Sequence, residues 1–149
     1  MSTDSNSSTP TPLEWRYGRA TTDATLGALE LQLDFTLPTD FRAVALLQDG
    51  GRPRPQGVRI SEDRNAVFER LLATEPDHGD TLLGAAQAMQ ANGRTDLVPF
   101  ATDPFGNAFC FRREPDTGKA IVFWDHESDT IHELCNSFME LLSMLQEPD

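Results

Sequence analysis

Apolar residues recur every three or four positions along much of the chain, which is the spacing of one face of an α-helix. Leucines at positions 26, 29 and 33 show this first and predict a helix over residues 24–33, with Thr22 or Asp23 as its N-cap. Three more helices follow from the same spacing: 39–48, 80–92, and a last one carrying Leu134, Phe138, Leu141, Leu142 and Leu145. Ser137 and Glu140 fit a capping box, so the last helix begins at Ser137 or one turn earlier.

Glycine and proline mark where these helices begin and end. Pro38 suits the first turn of the second helix. Asp49-Gly50-Gly51 predicts its end, because glycine tolerates the left-handed conformation that follows many helices. Gly93 ends the third helix in the same way.

Alternating or uniformly apolar stretches predict strands over 57–61, 97–100, 108–112 and 120–124. Pro99 indicates an edge or a bulge. The last stretch is β-branched and aromatic, which predicts a central strand covered on both faces. Residues 66–74 fit either a strand or a helix. Loops and turns are predicted at 52–57, 105–107, 116–118 and 125–129.

The order of these elements predicts an α+β fold, with a mostly antiparallel sheet packed by helices on one side. The chain has 149 residues, which suits one domain. Apart from Met1, residues 1–12 are Ser, Thr, Pro, Asp and Asn, with almost nothing to bury. We therefore predict a disordered tail over 1–20 and a single domain over 21–147.

The net charge of −12 is unevenly distributed. Residues 1–74 carry 8 basic and 10 acidic groups, whereas residues 75–149 carry 4 and 14. Such a surface repels nucleic-acid phosphates and anionic lipid, so we expect neither as a partner. It attracts a basic protein and accelerates the encounter with it.

Location and redox chemistry are constrained by what the sequence lacks. The first residues have no basic and apolar regions of a secretory signal, and no apolar run approaches the roughly 20 residues of a membrane span. The two cysteines, Cys110 and Cys135, are too few for a disulfide framework. We expect a cytoplasmic protein that is a monomer or a weak dimer.

Metal-ligand residue types cluster near the end of the chain, as His126, Glu127, His132, Glu133 and Cys135. The two histidines are six residues apart, which places them on different faces of a helix but on one face of a strand. No Cys-x-x-Cys or His-Glu-x-x-His pattern occurs. We expect an acidic turn here, and neither a metal nor a cofactor.

Catalytic motifs are missing as well. There is no Gly-x-Ser-x-Gly elbow and no glycine-rich phosphate loop. The segment 103–107 places oxygen ligands near a glycine but lacks the register of a calcium loop, so it predicts a tight turn. His126 is the one histidine worth testing for a functional role, and we expect no enzymatic activity.

One cluster of carboxylates has an alternative to a solvated turn. Asp125, Glu127, Asp129 and Glu133 are close in sequence, and we expect Asp103 to lie near them. Such a group can dock a basic protein by electrostatic attraction. These five residues are the candidate partner-binding site.

Short motifs now occur in a recognisable order. They are Leu37-Pro38-Thr39-Asp40-Phe41-Arg42, Asp49-Gly50-Gly51, Leu97-Val98-Pro99-Phe100-Ala101-Thr102-Asp103, Gly106-Asn107, Val122-Phe123-Trp124-Asp125-His126-Glu127 and Ser137-Phe138-x-Glu140-Leu141-Leu142. This series resembles the SUKH superfamily, in its branch that includes the yeast cell-wall assembly regulator, over about residues 24–146. One departure is Asp49, where the family often has asparagine.

The resemblance implies an α+β fold, no enzymatic activity and a role in protein binding. Bacterial members resemble immunity proteins that neutralise a cognate toxin by direct binding. The leading hypothesis is therefore an immunity protein whose carboxylates meet a basic surface of its toxin. The alternative is a regulatory or scaffolding module in signalling or cell-envelope assembly.

Overall fold

A computed structural model describes residues 13–76 and 80–148. It contains four α-helices and nine strands in these residues. The helices are α1 (Asp23–Leu33), α2 (Thr39–Gln48), α3 (Leu82–Ala91) and α4 (Phe138–Ser143). The strands are β1 (Glu14–Arg16), β2 (Arg52–Arg54), β3 (Gly57–Ser61), β4 (Arg64–Val67), β5 (Arg70–Leu71), β6 (Leu97–Thr102), β7 (Ala108–Arg112), β8 (Ile121–Asp125) and β9 (Thr130–Cys135).

The main sheet is a five-stranded antiparallel meander in the order β5-β6-β7-β8-β9. Two antiparallel pairs, β1-β2 and β3-β4, stand beside it. The predicted α+β class with a mostly antiparallel sheet is confirmed. Pro99 sits at a register shift between β6 and β7, as expected for a residue without a donor in an interior strand.

The helix caps follow from local sequence. The Thr22 side chain accepts a hydrogen bond from the backbone N–H of Thr25 and begins α1. Pro38 is the N-cap of α2, one position before the predicted first turn. Gly50, with φ of 72°, supplies the left-handed residue just after α2.

An aromatic core fills one face of the sheet. Phe41 of α2 lies edge-on to three rings, with centroids 5.9 Å from Phe100, 5.3 Å from Phe111 and 5.2 Å from Phe138. Helices α1, α2 and α4 all contribute to this cluster, and Trp15 packs against it. Edge-to-face aromatic pairs add stability beyond the area they bury.

A smaller cluster covers the opposite face. It contains Met89 of α3 together with sheet residues, and Trp124 packs against it. Neighbouring residues Val122 and Phe123 of β8 are both fully buried, one in each cluster, so the prediction of a central strand covered on both faces is confirmed. The expectation of helices on one side is too simple, because α3 contributes Leu82 to the main core but also places Met89 against the opposite face.

The last helix is shorter than predicted. Residues Thr130–Cys135 form β9, which pairs with β8, so Leu134 is a strand residue. Ser137 is the N-cap of α4 and accepts from the backbone N–H of Glu140, as the capping box predicted. Leu134 matches the helical spacing by coincidence, because a buried strand and a helix can share apolar positions.

The predicted boundary between the tail and the domain is also corrected. The predicted tail reached residue 20, but Glu14–Arg16 form β1 and pair with Arg52–Arg54, a segment predicted as a loop. Trp15 explains the difference, since burying its indole against the main core offsets the entropy of ordering this segment. The predicted disorder of residues 1–12 lies outside the described residues. The ambiguous stretch 66–74 contains strand residues of β4 and β5.

Candidate functional site

The turn between β6 and β7 is built around Asp103. This residue is only 5% exposed, and its Oδ1 accepts from the backbone N–H groups of Phe105 (2.9 Å) and Asn107 (2.8 Å). Its Oδ2 accepts from the Asn107 side-chain amide at 2.8 Å. Asp103 therefore shapes the turn and presents little surface to a partner, unlike the predicted docking carboxylate.

Asn107 ties this turn to the one between β8 and β9. Its Oδ1 accepts the backbone N–H of His126 at 3.0 Å and lies 2.8 Å from Nδ1 of the same ring. Because an atom that accepts a backbone N–H is the amide oxygen, Nδ1 of His126 is the ring nitrogen that donates. Gly106 lets the turns approach, since a Cβ there would lie 3.0 Å from the His126 ring and its φ is 91°.

Asp125 is held by internal donors. It pairs with Arg64 of β4 at 2.6 Å and accepts from the backbone N–H groups of Glu127 (3.0 Å) and Ser128 (3.3 Å). The Arg64 guanidinium also lies 5.2 Å from the centroid of the Phe123 ring. The hydrogen bond from Arg64, helped by the two backbone donors, lowers the pKa of Asp125 to about 2.

Replacing Arg64 with glutamine should raise the pKa of Asp125 toward the ordinary value of about 3.9. In the native protein the pair stabilises the fold fully above pH 4, and this contribution is lost as the pH falls toward 2, because the folded-state pKa lies below the unfolded one. The Asp125 carboxyl shift in an NMR titration measures the change. Arg59→Gln is the control, since Arg59 donates to the backbone carbonyls of Ser61 and Glu62 and pairs with no carboxylate among the described residues. An unchanged Asp125 pKa in the Arg64 variant would contradict this account.

Asp129 and Glu133 are partly neutralised too. Asp129 accepts the indole N–H of Trp124 at 2.8 Å and lies 3.6 Å from Arg94. Glu133 pairs with Arg112 at 2.7 Å. Among the described residues, Glu127 is the one member of the predicted cluster whose side chain has no hydrogen bond or ion pair.

The five predicted carboxylates do not form one surface. Strand register pairs Asp125 with Thr130 and Val122 with Glu133, which places Asp125 and Glu133 on opposite faces of the β8-β9 ladder. Their contacts agree, since Arg64 lies over the aromatic core and Arg112 lies on the other face. Closeness in sequence was misleading because neighbouring strand positions alternate between faces.

A groove between α3 and the second face of the sheet was not predicted. It has a volume of about 640 Å³. On the helix side, positions i, i+3, i+4 and i+7 from Thr81 line it, because Gly84, Ala85 and Ala88 are too small to fill the space. The sequence does contain one signal for this groove, because Gly84, Ala85 and Ala88 form a stripe of small residues along one face of the predicted helix.

The opposite wall of the groove carries the polar groups described above. Trp124 and His126 line it together with Asp103, Asn107 and Ala108. The Trp124 and His126 rings lie 6.4 Å apart between centroids and are inclined by 59°. The groove thus joins an apolar floor to a rim of hydrogen-bonding side chains, the usual composition of a binding pocket.

The two cysteines are buried thiols. Burial raises the pKa of Cys110 well above its usual range and raises the pKa of Cys135 to about 11. Both are therefore protonated at neutral pH and are poor nucleophiles. Cys110 belongs to the smaller cluster and Cys135 to the main core.

Within residues 13–76 and 80–148, no group of three or more His, Cys, Asp or Glu side chains is placed to hold a metal ion. His126 faces the groove, whereas the His132 ring lies 6.3 Å from that of Phe123. In the same residues, no helix is both long and apolar enough to cross a bilayer.

Comparison with known proteins supports the resemblance inferred from the ordered motifs. No curated protein matches the chain. The model of the family described as SMI1 / KNR4 (SUKH-1) matches residues 20–144, which include all four helices, the main sheet and the groove. The chain therefore belongs to the SMI1 / KNR4 family (SUKH-1).

Proposed function

We propose that this protein is a cytoplasmic immunity protein that neutralises a cognate bacterial toxin by direct, stoichiometric binding. Membership of the SUKH-1 family supports a non-enzymatic binding role. The observation that carries the proposal further is an exposed aromatic beside a groove. Phe105 is 76% exposed at the tip of the β6-β7 turn, and its neighbours Gly106 and Asn107 line the groove.

The turn that presents Phe105 is held by internal hydrogen bonds. The backbone N–H of Phe105 donates to one carboxylate oxygen of Asp103, and the other oxygen accepts from the side-chain amide of Asn107. A backbone that is already held in place loses little conformational freedom on binding, and exposed aromatic residues carry much of the binding energy in protein interfaces. Phe105 and the adjoining groove are therefore the proposed centre of the toxin interface.

Charge is expected to affect the rate of association. Most carboxylates near the β8-β9 turn have internal partners, but the whole chain still carries a net charge of −12. A field of this sign draws a basic toxin toward the surface from a distance and does not depend on any one residue.

The test is co-purification of the full chain with the product of the neighbouring gene, followed by association kinetics. We expect a one-to-one complex whose association rate falls roughly tenfold or more between low and high salt, because mobile ions screen the attraction. Phe105→Ala should accelerate dissociation, whereas Leu47→Ala, which removes a similarly exposed apolar side chain on α2, should leave it unchanged.

Two results would contradict parts of this proposal. A salt-independent association rate would remove electrostatic steering. Failure to bind or inhibit the neighbouring product would contradict the immunity role and favour a regulatory interaction module.

A further inference from the structure

The groove along α3 has an acidic lining. Three carboxylates, from Glu69, Asp80 and Asp103, line it with a single guanidinium, that of Arg70. Arg70 is paired with Asp80, and Arg52, which lies outside the lining, is 3.6 Å from Glu69. Two of the three carboxylates thus have an ionic partner, and the excess negative charge that remains is that of Asp103. Walls of low dielectric strengthen the attraction of such a groove for a cation.

Trp124 adds an aromatic face that can bind a cation. Its indole N–H donates to the Asp129 carboxylate, and this bond to an anion increases the electron density of the ring. Cations bind most strongly to the face of tryptophan among the aromatic side chains. The aliphatic part of a long basic side chain can pack against Met89 and Ala108, which line the same groove.

His126 supplies a hydrogen-bond acceptor. Since its Nδ1 donates to Asn107, the neutral ring keeps an unshared electron pair on Nε2, which has no partner among the described residues. The ring lines the groove beside Trp124. A planar hydrogen-bond donor that lies over the Trp124 indole can therefore donate to Nε2 of His126.

We infer that the groove receives a basic side chain, arginine in particular, from the partner protein. Its guanidinium lies over Trp124 and donates to Nε2 of His126, while its methylene groups pack against Met89. This inference rests on the proposed function, because it names the part of the partner that the site recognises. Arginine suits the site better than lysine, since its planar fork can stack and donate at once.

The test uses acetyl-arginine methylamide as a probe of the full chain labelled with nitrogen-15. The chain has two tryptophans, so each indole N–H gives its own NMR signal. We expect a saturable shift of the Trp124 signal with a dissociation constant of roughly 1 mM, as expected for so small a ligand. Trp15, which packs against the other core, should not move.

Two matched probes and two matched variants complete the design. Acetyl-norleucine methylamide and acetyl-glutamate methylamide should bind at least tenfold more weakly, because they lack the cation. Ala88→Leu should weaken arginine binding at least fivefold by filling the groove, whereas Ala91→Leu, on the same helix but outside the lining, should not. Equal binding of norleucine, equal shifts of both tryptophans, or an unaffected Ala88 variant would overturn the inference.

The same variants separate this inference from the proposed function. If the neighbouring gene product binds the native chain and the Ala88→Leu variant equally, the groove is not the recognition site and the immunity role stands. If that product does not bind while the arginine probe does, the groove inference stands and the immunity role fails. A shift that depends on protein concentration without a probe would indicate a second copy of this chain as the occupant, which overturns the inference.

Discussion

Replacing Phe100 with alanine should lower the free energy of unfolding by about 4 kcal/mol, since a buried Phe→Ala change costs about 3–5 kcal/mol. Phe100 is fully buried, with its ring centroid 4.3 Å from that of Phe111 and 5.6 Å from that of Phe138. Its removal leaves a cavity where the sheet, α2 and α4 meet. Urea unfolding with linear extrapolation measures the loss.

Phe105→Ala is the matched control for this experiment. It removes the same atoms from a side chain that is 76% exposed, so we expect a change within about 0.5 kcal/mol. If the two variants were destabilised equally, the aromatic cluster would not be the main source of stability. Together with the kinetics proposed above, the pair separates an aromatic that stabilises the fold from one that binds.

Asp103→Ala is expected to cost about 3 kcal/mol, because hydrogen bonds to a charged group contribute about 1.5–3 kcal/mol each and this change also leaves buried donors without partners. The two backbone N–H groups and the Asn107 amide lose their acceptor together. Asn107 in turn loses the restraint that orients it toward His126. The indole and His126 resonances should therefore broaden or shift as well.

A graded series distinguishes the contributions at this site. Asp103→Asn keeps an acceptor for the two backbone donors but places its own amide against that of Asn107, so we expect an intermediate loss. Asp116→Ala removes an exposed carboxylate and should change stability by less than about 0.5 kcal/mol. If Asp103→Ala were as mild as Asp116→Ala, the buried network would not hold the turn.

Local signals were enough to predict much of the fold. Helices α1, α2 and α3 were found because each has a periodic apolar face and a cap or a glycine at its end. Strand β8 was found because its β-branched and aromatic run has no polar face. In each case the decisive residues lie within the element itself.

The errors depended on distant partners. Strand β1 forms because Trp15 reaches the main core and because β2 lies opposite, and neither is visible near residue 15. The apolar spacing assigns Leu134 to the last helix, whereas pairing with β8, which lies earlier in the chain, makes it a residue of β9. Tertiary contacts override local preference in both places.

The candidate site shows the same limit. Counting carboxylates in sequence located the β8-β9 turn but could not reveal that Arg64, Arg94 and Arg112 pair with three of them. The groove requires α3 and the sheet to be placed relative to each other. Trp124 and His126 belong to a motif that is visible in the sequence. That they line one wall of the groove together with Asn107 is visible only in the structure.

The two buried thiols can report local opening of the folded protein. Cys110 and Cys135 lie on either side of β8, one in each apolar cluster. A thiol-labelling reagent is attacked by the thiolate, so labelling must wait until the surrounding strands separate and the sulfur is exposed to water. The two labelling rates thus follow the separate opening of the two cores, without any engineered probe.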